Sequence, residues 1–239
     1  MNGAELLLIY QGTVANRIDY VKENAVLFMD YKSLSDGAAN TWTSIATNTS
    51  YTASKVSATG PVKSSGGLFF NNSEYMKIPN LDLSGSAKYS IYIVHTMNAQ
   101  ASGVNRVIID HGRLTTAKGF YIANPIVASQ VLLIANVVSG TASTNESAPL
   151  IGTKVITELT AGTTLAEKRN SVNNGTAITF DNNLVPGPFP VNDCYIGALN
   201  NGAWKFINYI DCIIIIPFET STEATKTKLW LAEYYGITF

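Results

Sequence analysis

Charged residues are scarce in this chain, and neither sign dominates. The 239 residues include 16 Lys and Arg and 17 Asp and Glu, so charged side chains make up 14% of the sequence and the net charge is −1. Hydrophobic residues reach 46%, whereas a disordered chain has few apolar groups and a high net charge. No basic stripe that could neutralise phosphates is present. We therefore expect a folded domain without a nucleic-acid partner.

The sequence also lacks a hydrophobic run long enough to cross a bilayer. Its longest apolar run, residues 213–218, suits a buried strand, and we expect no membrane insertion. Residues 1–10 have no basic segment, no full apolar segment and no small-residue cleavage site, which argues against a signal peptide. We therefore expect that the chain is made and folded in a cytoplasm.

Cysteine is rare, with one residue at 194 and one at 212. If the two flanking strands form a hairpin centred near Ala203, Cys194 and Cys212 lie opposite each other, and a disulfide is geometrically allowed. Folding in a cytoplasm favours the alternative, in which both are buried thiols.

Short segments of alternating polarity dominate what is present. Residues 89–97 place Tyr89, Ile91 and Ile93 on one face and Ser90 on the other, as expected of a strand rich in β-branched and aromatic residues. The Asn-Gly pair within residues 172–176 indicates a hairpin turn. Many such strands with frequent turns predict one all-β domain, an antiparallel β-sandwich or barrel.

One short helix is predicted, near the C-terminus, over residues 222–235. Thr220 and Glu223 have the spacing of a capping box, and Gly236 supplies the stop. We divide the chain into residues 1–24, an N-terminal arm or first strand, and residues 25–239, the sandwich domain.

The order of several segments resembles the concanavalin A-like lectin/glucanase superfamily, particularly laminin-G-like jelly rolls. The segments that carry the resemblance are residues 68–72, 89–96, 106–112, 119–122, 171–176, 194–197, 206–216 and 229–237. The resemblance implies an antiparallel β-sandwich of the concanavalin A-like jelly-roll type. It also implies a functional range that includes sugar-binding lectins, glycosidases, adhesion modules and phage virion proteins, among which fold alone does not choose.

The carboxylate pattern of glycosidases with this fold is missing. Those enzymes place paired carboxylates on one strand face, often as Glu-x-Asp-x-x-Glu, whereas Asp110 and Asp211 stand alone on their predicted strands. We expect that the chain is not an enzyme and has no cofactor. Calcium is the metal that the resemblance leaves open, but Asp30, Asp36 and residues 181–183 form no recognisable calcium loop, so no metal site is predicted.

A sugar-binding site needs an aromatic face beside amide and carboxylate groups. Asn200, Asn201 and Trp204 provide the best local match, and Trp42 with its polar neighbours is the second candidate. The alternative for both tryptophans is that the indole covers the edge of the core.

These observations predict a non-enzymatic structural or attachment protein of a phage virion, a capsid decoration or a tail or fibre component. Its expected partners are other virion proteins, cell-surface glycans, or both, and the arm suggests a homo-oligomer through edge pairing. The expected location is the virion, assembled in a host cytoplasm, or alternatively the extracellular space. A stand-alone carbohydrate-binding lectin module is the second hypothesis, and a glycoside hydrolase or lyase with an atypical site is the third.

Overall fold

The structure is a computed structural model, and it describes residues 16–96, 106–112, 119–124, 130–131, 135–137, 140–142, 146–147, 152–164, 167, 169–172, 178–179 and 187–238. In chain order its elements are α1 (Arg17–Asn24), β1 (Leu27–Asp30), a 3₁₀ turn (Tyr31–Ser33), β2 (Gly37–Ala38), β3 (Thr41–Thr43), β4 (Thr52–Lys55), β5 (Val62–Ser64), β6 (Gly67–Asn71), β7 (Met76–Leu83), β8 (Tyr89–Thr96), β9 (Arg106–His111), β10 (Phe120–Asn124), β11 (Gln130–Val131), β12 (Ala135–Val137), β13 (Gly140–Ala142), β14 (Glu146–Ser147), β15 (Lys154–Ala161), β16 (Arg169–Val172), β17 (Ile178–Thr179), β18 (Phe189–Ile196), β19 (Ile207–Pro217) and α2 (Ser221–Tyr235).

Two antiparallel sheets form the sandwich, so the predicted all-β antiparallel fold is confirmed. The larger sheet has nine strands in the order β17-β16-β15-β8-β19-β6-β5-β2, with β1 also paired to β19, and the smaller sheet has six in the order β10-β9-β18-β7-β4-β3. Two further pairs, β11 with β14 and β12 with β13, form separate ribbons.

The central strands of the larger sheet are buried on both faces. Every residue of β8 is buried, because this strand lies between β15 and β19 at the centre of the sheet. Ile213 and Ile215 of β19 belong to the core between the two sheets. Ile214 and Ile216 point to the opposite side, where they pack with Trp230 of α2. The continuous apolar run of β19 is thus explained by two buried faces rather than one.

Both helices cover that second face. Helix α2 begins where Thr220 accepts a hydrogen bond from the Glu223 amide, and it ends at Gly236, whose φ of 67° is left-handed. The predicted C-terminal helix and its caps are therefore confirmed. Helix α1 corrects the expectation that residues 1–24 form an arm or first strand, because residues 17–24 are helical. Arg17 and Val21, one helical turn apart, are both buried.

The division of the chain at residue 24 stays a prediction, since residues 1–15 lie outside the described part. The predicted hairpin turn within residues 172–176 also falls largely on residues that are not described. Neither of the described helices is long and apolar enough to span a bilayer.

The hairpin predicted around Ala203 is wrong. Cys194 lies on β18 in the smaller sheet, and Cys212 lies on β19 in the larger one. Cys194 packs in the core between the sheets, whereas Cys212 packs among the residues under the helices. The larger sheet separates the two, and both are buried free thiols.

Asp211 is a buried carboxylate with one cationic neighbour. Its side chain is fully buried, and Lys154 Nζ lies 2.8 Å from its Oδ2. This ion pair is the closest charged contact of the Asp211 carboxylate among the described residues. A Cβ on Gly67, at φ +131°, would come within 1.7 Å of Asp211 Oδ1. Only glycine leaves room for the carboxylate there.

Burial raises the pKa of Asp211 to about 6 from its ordinary value of 3.8. The folded state therefore holds a proton that the unfolded chain releases, and this group's contribution to stability falls as pH rises from about 4 to about 6. We expect the free energy of unfolding of Asp211→Asn, relative to the native chain, to increase on the order of 3 kcal/mol across that window. Urea denaturation at a series of pH values measures it.

Asp82→Asn is the matched control for that experiment. Asp82 is exposed, and hydrogen bonds from Ser84 lower the pKa of its carboxyl. Its carboxylate stabilises the fold above about pH 4, where the folded and unfolded states are both ionised, so the relative stability of this variant should change below pH 4 and stay nearly flat between pH 4 and pH 6. A stability difference for Asp211→Asn that stays flat between pH 4 and pH 6 would contradict the assignment.

Candidate functional site

Residues 197–206 form a compact loop that carries the chain from β18 in the smaller sheet to β19 in the larger. Phe206 N donates to Gly197 O over 2.8 Å, which closes the base of the loop. Leu199 N donates to Ala203 O over 3.0 Å, and Gly202 N donates to Leu199 O over 2.8 Å. These backbone bonds give the loop a defined conformation.

The loop lies against the outer face of the smaller sheet. Val107, Tyr121 and Ala123 form a small apolar cluster with Leu199 of the loop, and Trp204 packs against it. The Trp204 and Tyr121 rings are 6.3 Å apart and meet edge to face. The indole therefore packs in a defined position on the sheet, while part of its surface is exposed.

The Trp204 backbone is strained, with a φ of 52° in the left-handed region. A bulky residue in this region costs roughly 1 kcal/mol or more, and it persists only where the surroundings impose it. Here the hydrogen bond of 2.9 Å from Val107 N to Trp204 O helps to hold the backbone in this conformation.

Asp110 of β9 anchors the other side of the loop. The residue is fully buried, and its Oδ2 accepts a hydrogen bond of 2.9 Å from Asn200 N. Its role as a loop anchor was not predicted from the sequence.

The three loop residues of the predicted sugar site lie on this one loop, and their role in binding stays a prediction. Asn201 is exposed, and its Oδ1 accepts from Ala203 N over 2.9 Å, while its amide NH₂ group donates no hydrogen bond to the described residues. Asn200 is half-buried, and its side-chain amide makes no hydrogen bond to the described residues. The loop thus presents two amides beside one indole.

Trp42 does not belong to that site. It is fully buried in the core between the sheets, and its indole Nε1 donates to Asp30 O over 3.1 Å. Pairing with Ala53 turns its side chain inward, while Thr41 and Thr43 face outward. The indole offers no face to a ligand, so the second candidate for sugar stacking is wrong.

Two tyrosines that the sequence reading missed extend the surface around Trp204. A Cβ on Gly202 would lie 3.2 Å from Tyr75 Oη, so the loop touches Tyr75. The Tyr75 and Tyr195 rings are 6.5 Å apart, and both side chains are half-exposed. We call Tyr75, Tyr195, Trp204, Asn200 and Asn201 the aromatic surface. Tyr195 could have been found, because it alternates with the buried Cys194 and Ile196.

A polar cleft of about 540 Å³ lies beside β2 and β3. Its lining consists of Ser33, Leu34, Ser35, Asp36, Ala38, Ala39, Asn40, Thr41, Thr43 and Ile45. These include the polar neighbours of Trp42 but no aromatic ring, so the cleft lacks a stacking platform.

His95 and two of the calcium candidates have partners within the fold. His95 Nε2 lies 3.1 Å from Thr157 Oγ1, and burial lowers its pKa to about 4. Asp30, a calcium candidate, accepts from the hydroxyls of Tyr234 and Tyr235. Asp36 pairs with Lys63 over 3.3 Å.

No group of three or more His, Cys, Asp or Glu side chains that could hold a metal occurs among the described residues. Residues 181–183, which were among the calcium candidates, lie outside that part of the chain.

No protein-family model matches this chain, and no curated protein sequence matches it. It is similar in structure to Trypanosoma rangeli sialidase in complex with 2,3-difluorosialic acid, with a TM-score of 0.61 and 14% identity over 88% of this chain and 33% of the sialidase. It is also similar to the receptor binding domain of botulinum neurotoxin D, with a TM-score of 0.59 and 12% identity over 89% of this chain and 54% of that one. A third is the binding domain of botulinum neurotoxin DC in complex with SialylT, with a TM-score of 0.58 and 10% identity over 89% and 52%.

The chain spans about a third of the sialidase and about half of the toxin domains. At these identities the likeness shows a shared antiparallel sandwich, and fold alone does not carry activity.

The expectation that the chain is not an enzyme is contradicted, because the structures that share its fold include sialidases. That expectation relied on the missing Glu-x-Asp-x-x-Glu pattern. The pattern is one way to arrange catalytic carboxylates, and sialidases use a tyrosine nucleophile instead.

Asp110→Asn should loosen the loop. It keeps the shape of the side chain but removes the charge from a buried hydrogen bond, which costs about 1–3 kcal/mol. We expect faster amide hydrogen exchange in residues 197–206 and little change elsewhere. Asp82→Asn, which alters an exposed carboxylate in a turn, is the control. Equal protection of the loop in both variants would show that Asp110 is not its anchor.

Proposed function

We propose that this chain is a carbohydrate-binding domain of the concanavalin A-like, laminin-G-like kind, which holds a saccharide on the aromatic surface. The observation that carries the proposal is the loop at 197–206, which fixes a partly exposed indole beside two amides. The apolar face of a sugar ring stacks on the indole of Trp204, and its hydroxyls exchange hydrogen bonds with Asn200 and Asn201.

The rigidity of the surface supports this function. Trp204 is held by the Tyr121 ring and by its backbone bond to Val107. A side chain that is already ordered loses little conformational entropy when a ligand binds. Weak stacking and a few hydrogen bonds can then yield measurable affinity.

The chemistry of the structural neighbours supports the same ligand class. The Trypanosoma rangeli structures include complexes with sialic acid, and one toxin domain is in complex with SialylT. These ligands belong to those proteins. Together with the aromatic surface of this chain, they favour a glycan over a peptide or a lipid.

A glycan-binding domain suits an attachment role, and we retain the phage virion as its expected location, with other virion proteins as partners. The extracellular location and a homo-oligomeric state also stay predictions. Mass spectrometry of purified virions tests the virion location. Native mass spectrometry of the full chain tests the homo-oligomeric state.

The central test is binding of the full chain to a glycan array, with Trp204→Ala as the variant. Removing the indole deletes the stacking platform, and we expect bound signals to weaken at least about tenfold, which is about 1.4 kcal/mol. Turnover of any bound glycan is followed in the same samples.

Tyr209→Ala is the matched control, because Tyr209 is a half-exposed aromatic on the larger sheet, packed on Phe69 at 5.2 Å. It should bind as the native chain does. If Trp204→Ala folds normally and binds every glycan unchanged, the proposed site is wrong. If the native chain binds no glycan, the proposed function is wrong.

A further inference from the structure

Two cations border the aromatic surface without an acidic partner in the described part of the chain. Arg106 begins β9, next to Val107, and Lys205 follows Trp204. Because Val107 N donates to Trp204 O, Arg106 and Lys205 are each adjacent in sequence to a residue of this backbone hydrogen bond. Both side chains are half-exposed.

Arg106 is held in place by one of its nitrogens only. Its Nη1 donates to Lys205 O over 3.0 Å and also to Asn72 Oδ1. Nε and Nη2 make no hydrogen bond to the described residues. These two groups form one edge of the planar guanidinium, which matches the two oxygens of a carboxylate or sulfate.

Lys205 places a second positive charge beside the aromatic surface. Its Nζ lies 5.6 Å from the centre of the Tyr75 ring, so the ammonium and the aromatic surface are in contact. Lys77, in contrast, is already neutralised by Asp193 at 2.6 Å.

Two carboxylates in neighbouring segments, Glu74 and Asp110, accept hydrogen bonds from other groups. Glu74, next to Tyr75, is 4% exposed, and its oxygens accept from Thr59 Oγ1 and Asn71 N. Asp110 is buried beneath the loop, where it binds Asn200 N. Glu74 forms no ion pair with Arg106 or Lys205 in the described part of the chain, so neither cation is tied to it.

We propose that the saccharide held by this surface is acidic, and that Arg106 binds its carboxylate or sulfate through Nε and Nη2 while Lys205 adds electrostatic attraction. The inference rests on the proposed function, since Trp204 holds the neutral part of the same ligand. Carboxylated and sulfated sugars share this chemistry, and the experiment separates them.

The test is isothermal titration calorimetry of the full chain with sialyllactose, sulfated lactose and lactose, which share one neutral core. At low ionic strength we expect at least one acidic sugar to bind about tenfold or more tightly than lactose, with the advantage shrinking as salt is added. Arg106→Gln should remove most of that advantage and Lys205→Gln a smaller part. Lys226→Gln, which alters an exposed cation on α2, should leave it unchanged.

Arg106→Gln is checked by its melting temperature, and the salt dependence of the native chain provides a reading that needs no variant. Equal affinity for lactose and both acidic sugars overturns the inference and leaves the proposed function standing. An acidic preference that survives both substitutions overturns the assignment to Arg106 and Lys205. Failure of all three sugars and of the glycan array removes the proposed function itself.

Discussion

The burial of both faces at the central strands of the larger sheet is the constraint on which the rest of the structure depends. A polar group on its helix-facing side has no access to water, and an unpaired buried charge costs several kcal/mol. Glu158 is accordingly 2.9 Å from Lys228, and Glu219 is 2.5 Å from Arg17. These ion pairs join the sheet to α2 and join α1 to the segment before α2. The helices therefore complete the sandwich, because they supply both apolar cover and opposite charge.

The same constraint decides which surface is available for binding. At the central strands of the larger sheet one face packs on the smaller sheet and the other on the helices, whereas the helices leave the outer face of the smaller sheet uncovered. The chain reaches that face through the crossing from β18 to β19. A crossing loop cannot take the short form of a hairpin turn, and its extra residues fold back over Val107 and Tyr121. The geometry of the aromatic surface is thus a consequence of how the two sheets are connected.

Local patterns in the sequence predicted the elements that local interactions determine. The alternation in β8 and the caps of α2 are examples, because a strand face or a capping hydrogen bond involves residues close in sequence. The hairpin about Ala203 failed because symmetry in the sequence presumes that both strands share one sheet, whereas the favoured alternative, that Cys194 and Cys212 are buried thiols, is confirmed. Helix α1 was missed because its burial depends on Arg17 reaching Glu219, which is distant in sequence.

Trp42 and Trp204 show which part of the site could not be predicted from composition, namely which tryptophan is exposed. Each stands beside amide and hydroxyl side chains, and composition alone does not separate them. Trp42 alternates with two outward-facing threonines in β3, so a strand register sends its indole into the core. Trp204 lies outside the strands at a positive φ, where no alternation applies and only contacts with β9 and β10 orient the ring.

The stacking residue and the cationic residues of the proposed site are held by different interactions, which makes their contributions separable. The Trp204 ring is oriented by its contact with Tyr121 and by the hydrogen bond from Val107 N to its backbone oxygen. The Arg106 guanidinium is oriented by Asn72 and Lys205 O. A change to one group need not displace the other. Salt screens the attraction of the cations for an acidic sugar but leaves stacking largely intact. Affinity at high ionic strength therefore reports on the indole, and the difference from low ionic strength reports on the cations.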